Sequence, residues 1–144
     1  MATFTFEARR ELYARLWASM ELRPSKAADI QATASKILNK KTRYKAVEKE
    51  TGVPWFIIGL IHAMECGCSF SGHLHNGDPL GARTRQVPAG RPKTGQPPFS
   101  WKDSAVDAIR YDGLDKIQDW GIERICFELE KFNGEGYVKF HPDV

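Results

Sequence analysis

Residues 54–65, Pro54-Trp55-Phe56-Ile57-Ile58-Gly59-Leu60-Ile61-His62-Ala63-Met64-Glu65, decide how this chain is read. The apolar run from Val53 to Met64 is 12 residues long, well short of the roughly 20 that a membrane span requires, so it is a core segment. Pro54 suits the first position of a helix, where its missing N–H is no loss. The segment is apolar on nearly every side, which predicts a helix in the middle of the fold with other helices packed around it and Glu65 at its end.

Helical period also governs the sequence before it. Tyr13, Leu16, Trp17 and Met20 form one i, i+3, i+4, i+7 stripe; Ala27, Ile30, Ala34 and Ile37 repeat it in a second helix that Pro24 opens. A third helix over Thr42–Glu50 is expected to stop at Gly52.

After Glu65 the period is lost as far as Phe99. Asn76-Gly77 predicts a small β-hairpin, and prolines 88, 92, 97 and 98 with Gly90 and Gly95 predict a surface loop. Helix resumes behind Ser100, an N-cap with Asp103 three residues on, and buries Trp101, Ala105, Ala108 and Ile109. A last helix over Asp119–Phe132 turns Ile122, Ile125, Cys126 and Leu129 inward, and Gly134 and Gly136 mark its exit. No internal repeat or low-complexity tract is visible.

At 144 residues with 42% hydrophobic and 27% charged side chains, and a mean hydropathy of −0.45, the chain is expected to form one globular domain, residues 1–144. Residues 1–64 carry 11 basic against 6 acidic side chains and residues 65–144 carry 10 against 12. That balance is too mild to argue nucleic acid. Three cysteines, two of them in Cys66-Gly67-Cys68, read as free thiols in a reducing compartment. The amino terminus lacks the pattern of a secretory signal, so synthesis in the cytoplasm is expected.

The chemistry centres on Glu65. A carboxyl in the last turn of an apolar helix is disfavoured as an anion by low polarity and by the negative end of the helix dipole, so its pKa is pushed upward. A carboxyl that keeps its proton near neutrality is the acid that glycosidic cleavage needs. Asp78, behind the Asn76-Gly77 turn, is placed to fold back towards it as a second, ionised carboxylate.

A buried helix ending in Glu, a small β-turn region with Asp and Thr, then more helices: this order resembles the lysozyme-like superfamily, and phage and prophage endolysins in particular. Phage-type lysozymes use Glu, Asp and Thr with the last two separated by five residues, as Asp78 and Thr84 are; the interval from Glu65 to Asp78 is longer than theirs. The stretches HLHNGDPL, VPAGRP, PFSWKDSAVDAI and LEKFNGEGY resemble a divergent group of the same proteins. Phe132, Asn133, Gly134 and Tyr137 are loosely similar to cleft residues of goose-type lysozymes and lytic transglycosylases.

The resemblance implies a mainly α, lysozyme-like α+β fold in which a central buried helix and a small β-hairpin flank a cleft. It also implies a muramidase that cuts the N-acetylmuramic acid–N-acetylglucosamine bond of peptidoglycan in host lysis, with Glu65, Asp78 and Thr84 catalytic. His75, Asn133 and Tyr137 would bind substrate. Lytic transglycosylation of the same bond and a non-catalytic peptidoglycan-binding module are the alternatives. No cofactor, metal, nucleic acid or stable membrane insertion is expected. A monomer is expected, made in the host cytoplasm and acting on the wall in the periplasm after release.

Other readings carry less. Cys66, Cys68, His73, His75 and Asp78 are metal-ligand types, but C-x-C then H-x-H fits none of the usual zinc spacings. Cys66 has no nucleophile signature around it, and Cys126 reads as core. His62 reads as a satisfied buried histidine, and Trp17, Trp55, Trp101 and Trp120 as core anchors. Lys36, Lys40, Lys41, Arg43 and Lys45 read as a solvated helix end that could alternatively meet anionic wall or membrane phosphates. A helix-turn-helix over residues 43–64 fails because its second helix has no polar face.

Overall fold

A computed structural model describes residues 4–134, which hold six α-helices and no β-strand. The helices are α1 (Phe6–Ser19), α2 (Ala27–Asn39), α3 (Lys41–Thr51), α4 (Trp55–Cys66), α5 (Trp101–Tyr111) and α6 (Ile122–Asn133). No helix among the described residues is long and apolar enough to cross a membrane. The chain divides into two compact units: α1 with α6, and residues Ser25–Ile117.

In the first unit Thr5 caps α1, its hydroxyl accepting from the Ala8 amide at 3.3 Å. The contact with α6 is aromatic: Phe127 stacks on Phe4 at 5.0 Å and meets Phe6 and Tyr13 edge-on. Arg9 pairs with Glu130 at 3.2 Å and donates to the Tyr13 hydroxyl at 2.9 Å. Burial and the neighbouring Glu130 push the Tyr13 phenol up to about 12. The stripe expected to be buried on α1 is therefore only partly so: Tyr13 is inside, while Leu16, Trp17 and Met20 are about half exposed. The aromatic rings take the interior, with the Arg9 stem beside them, and Trp17 is no core anchor. Helix α6 begins at Ile122 rather than Asp119, because the Asp119 carboxylate accepts from the Gly121 amide and holds the chain in a turn. Phe127 is its deepest apolar residue; Ile122, Ile125, Cys126 and Leu129 are half-buried.

The second unit is built on α3, α4 and α5. Gly52, at φ 77°, closes α3 as predicted. Helix α4 starts one residue later than expected. Pro54 is the cap, and the Glu48 carboxylate of α3 accepts the Trp55 amide in place of a capping side chain. Gly59 lets α4 come close to its neighbours: a Cβ there would lie 2.5 Å from the Ile37 side chain and 3.4 Å from the Tyr44 ring. Tyr44 is fully buried and its hydroxyl donates to His62 Nδ1 at 2.8 Å, while His62 Nε2 donates to the Ser69 carbonyl at 2.7 Å. With both nitrogens used, His62 is the satisfied core histidine that its position suggested, and burial holds its pKa low.

Two expectations change here. Helix α4 buries Ile57, Ile58, Gly59, Ile61 and His62, but Phe56 and Met64 are exposed, so it is not enclosed on every side. The expected hairpin is a turn closed by one isolated antiparallel bridge, Gly72 to Pro79. The His73 amide donates to the Asp78 carbonyl at 2.7 Å and the Gly77 amide to the His73 carbonyl at 2.8 Å. A strand pair does not extend from it: beyond the Leu80 amide, which donates to the Ser71 carbonyl at 3.2 Å, the Leu80 carbonyl accepts the Phe99 amide at 2.9 Å and the Ser71 amide donates to Ser69 Oγ at 3.4 Å. The described residues are thus mainly helical, and the α+β expectation fails for want of strands.

Helix α5 follows the sequence closely. Ser100 Oγ accepts from the Asp103 amide at 3.1 Å, and Trp101, Ala105, Ala108 and Ile109 are buried.

Candidate active site

Glu65 stands in the last turn of α4, half-buried, just before Gly67 ends the helix at φ 55°. Burial raises its pKa above the ordinary carboxyl value, and the negative charge of Asp112, the C-cap of α5, raises it again. The turn folds back on this helix end as its sequence suggested. Gly77 lies against the Glu65 carbonyl, so that a Cβ there would come within 3.3 Å of the oxygen, and Cys66 Sγ donates to the His73 carbonyl at 3.3 Å.

The arms of the turn are as tightly placed. A Cβ on Gly72 would lie 2.8 Å from the Gly77 carbonyl oxygen. Glycine is required at 72 by this close approach and at 77 by its φ of 84°.

Asp78 is in this turn, but its carboxylate is engaged elsewhere. Oδ2 accepts the amides of Arg85 at 2.8 Å and Gln86 at 3.0 Å, which hold its pKa below the usual range. Thr84 is 3% exposed, and its hydroxyl donates to the Pro88 carbonyl and accepts the Arg91 amide at 2.8 Å. That hydroxyl is committed to the loop backbone, which leaves it unsuited to the water-holding role expected of it.

Both residues belong to a larger set. Asn76 donates to the Gln86 carbonyl at 3.1 Å, and the Arg83 guanidinium donates to the carbonyls of Pro92 and Gly95. The proline-rich loop is thus tied to the turn by side chains on either side of it.

His75 is fixed by the same framework. Its side chain is fully buried and Nε2 donates to Asp107 Oδ2 at 2.6 Å, while Arg91 clamps Asp107 with two bonds of 2.6 and 3.0 Å. Nδ1 is buried without a protein partner, and burial lowers the His75 pKa against the pull of Asp107. A buried imidazole is a poor first contact for a polysaccharide, so the structure gives His75 an internal place rather than the exposed one expected of a sugar ligand.

Asn133 is the exposed last residue of α6, in the other compact unit, and Tyr137 lies outside the described residues. The structure therefore joins Glu65 with the turn bearing His75 and Asp78.

The metal-ligand types are similarly occupied. Ser104 Oγ donates to His73 Nδ1 at 2.7 Å and His73 Nε2 donates to the Ala82 carbonyl at 2.7 Å. Among the described residues no three His, Cys, Asp or Glu side chains gather in a metal-binding arrangement. Burial, with Glu65 and Cys68 beside it, pushes the Cys66 thiol up to about 11, the reverse of an activated nucleophile.

Asp112 and the Arg91–Asp107 pair were missed in the sequence. Asp112 carries no local signal, being far along the chain from Glu65. Asp107 carries one: it stands three residues after Ser104 on a helix whose neighbouring positions are buried, where a polar side chain needs a partner.

A polar groove of about 350 Å³ runs between α5 and the loop, with Glu50, Gln96, Phe99, Asp103, Asp107 and Arg110 in its wall; Glu65 is not part of it. No family model matches the chain, nor does any curated protein or solved structure match it.

Proposed function

We propose that the protein cleaves the glycan strands of bacterial peptidoglycan, as an endolysin of the lysozyme-like kind, with Glu65 as the proton donor to the bond between N-acetylmuramic acid and N-acetylglucosamine. One observation carries this reading: a half-buried carboxyl with a raised pKa at the end of an apolar helix, against which a glycine-containing turn is folded. Exposed Asn133, at the end of α6, and Tyr137 are kept as proposed sugar contacts on the resemblance alone. The site of action remains the wall, reached after release from the host cytoplasm.

The second step admits two courses. In hydrolysis, Asp78 activates or orients water while Glu65 gives its proton to the leaving oxygen. In lytic transglycosylation, Glu65 protonates the leaving oxygen, and the resulting carboxylate then takes the proton of the muramic acid 6-hydroxyl as that oxygen bonds to C1. The product is a 1,6-anhydro end, and no water is consumed. The commitment of Asp78 and Thr84 to the loop favours the second course, because it asks only one carboxyl to act.

Purified peptidoglycan treated with the parent chain and with Glu65→Gln tests both. Loss of turbidity with the parent and none with the variant supports the enzyme. Binding without lysis by either chain refutes it in favour of a binding module. Mass spectrometry of the released muropeptides separates reducing ends, from hydrolysis, from 1,6-anhydro ends.

A further inference from the structure

We infer that Cys66 and Cys68 form a redox-active dithiol, in which the Cys68 thiol exchanges with a small anionic disulfide and Cys66 then closes a Cys66–Cys68 bond. Both thiols are free and part-exposed, with only Gly67 between them. The end of α4 brings them into one turn: the Ser69 amide donates to the Cys66 carbonyl at 3.0 Å, and Gly67 and Cys68 have φ of 55° and 65°. A turn with both central residues at positive φ sets its first and third Cα atoms about 5.5 Å apart, inside the roughly 4.4–6.8 Å that a disulfide spans. Among the described residues Cys68 alone has a positive φ without being glycine, so a cysteine is held where glycine would fit without strain.

The surroundings give the two thiols different parts. Cys68 lines a pocket of about 280 Å³ together with Lys36, Asn39, Lys40 and Phe70, and no acidic side chain is in its wall. Two ammonium groups without a carboxylate favour an incoming disulfide that itself carries carboxylates, such as oxidised glutathione. Cys66 is the slower thiol, because burial, with Glu65 and Cys68 beside it, holds its proton, and its Sγ donates to the His73 carbonyl at 3.3 Å. It is the resolving partner, and it acts within its own turn, where no encounter is needed.

Cys68, as thiolate, attacks one sulfur of the glutathione disulfide. That S–S bond breaks, and one glutathione leaves as a thiolate that takes a proton from water. Cys66 then gives its proton to water and attacks the Cys68 sulfur of the mixed disulfide, which releases the second glutathione. Two electrons pass from the protein dithiol to the glutathione disulfide, and two glutathione thiols form. The Cys66–His73 bond is lost in closing, so the turn that lies against Glu65 loses one of its ties to α4. The pair stays open in a reducing compartment and closes in an oxidising one. The inference stands whether or not the protein cuts glycans.

Treatment of the folded full chain with oxidised glutathione, followed by iodoacetamide in urea and mass spectrometry, is the test. Both cysteines fall in the tryptic peptide 50–83, and Cys126 falls in another. The peptide is expected to lose two hydrogens and to carry neither glutathione nor an alkyl group. Cys66→Ser should retain one glutathione on Cys68, whereas Cys68→Ser should react at least about tenfold more slowly. Lys36→Glu/Lys40→Glu, at two exposed positions, should slow the reaction with oxidised glutathione at least about threefold and leave that with uncharged hydroxyethyl disulfide unchanged. Circular dichroism verifies that each variant is folded. Three results overturn the inference: both thiols alkylated after treatment of the folded chain, glutathione retained on the parent peptide, or a bond that closes only once the chain is unfolded in urea. A lysine pair that alters both reactions alike overturns the choice of an anionic disulfide.

Discussion

Replacing Thr84 by valine exchanges a hydroxyl for a methyl of nearly equal volume, so the loop that Thr84 anchors keeps its packing and loses only two hydrogen bonds. The hydroxyl donates to the Pro88 carbonyl and accepts the Arg91 amide at 2.8 Å, at a position only 3% exposed. Valine leaves that carbonyl and that amide without partners. Each such loss costs about 1–3 kcal/mol in a buried place. Partial access of water to both partners brings the sum to about 2–4 kcal/mol. For a unit of this size that is a fall in melting temperature of roughly 10–20 °C. Thr84→Ser keeps the hydroxyl and loses one methyl, for about 1 kcal/mol. Thermal denaturation followed by circular dichroism gives the stabilities, and turbidity loss of peptidoglycan at a temperature where all three chains are folded gives the activities. Valine is expected to destabilise strongly, serine weakly, with activity below the melting range retained by serine. A valine variant as stable as the parent but unable to lyse peptidoglycan would refute the tethering role and restore Thr84 to the chemistry.

Other consequences follow from the same geometry. Glu65→Gln removes a group whose folded pKa is raised. Its stabilisation is complete below the ordinary carboxyl range and is lost as pH rises through the higher, folded value, so the variant should be the more stable chain at neutral pH and converge with the parent in acid; melting temperatures across pH measure this. Asp78→Ala frees the amides of Arg85 and Gln86, whose hydrogen exchange should quicken while that of α4 does not change. Gly59→Ala puts a Cβ 2.5 Å from the Ile37 side chain and should destabilise by about 1–3 kcal/mol, read from urea unfolding. Cys66, with its thiol near 11, is on the order of 0.1% thiolate at pH 8 and should resist iodoacetamide until the chain is unfolded.

The sequence carried the helices because periodicity and caps are local. Ser100 with Asp103 starts α5, Gly52 stops α3, and the buried residues of α5 follow from their spacing. What it did not carry depends on partners distant along the chain. Leu16, Trp17 and Met20 have the right period for burial, yet Phe127 supplies the interior surface only to Phe4, Phe6 and Tyr13. Asn76-Gly77 marks a turn correctly, but whether strands extend from a turn depends on where the flanking backbone groups find their partners. Here the Leu80 carbonyl accepts the distant Phe99 amide and the Ser71 amide donates to Ser69 Oγ.

The candidate site divides along the same line. Glu65 was legible because the apolar helix that carries it suggests burial, the first cause of its raised pKa; Asp112, the second cause, was not. Asp78 and Thr84 share a spacing with the catalytic pair of phage-type lysozymes, and in this fold the same spacing spans the base of a loop, with one side chain bonded to residues 85 and 86 and the other to residues 88 and 91. A carboxylate that already accepts two backbone amides is stabilised as an anion and weakened as a base, so activating water at Asp78 would work against its lowered pKa. Glu65 has the opposite bias, towards the neutral acid, and after it gives up its proton its surroundings favour taking one back. Under the proposed function, the muramic acid 6-hydroxyl can supply that proton without any second carboxylate, so a raised Glu65 and a lowered Asp78 are compatible with internal attack.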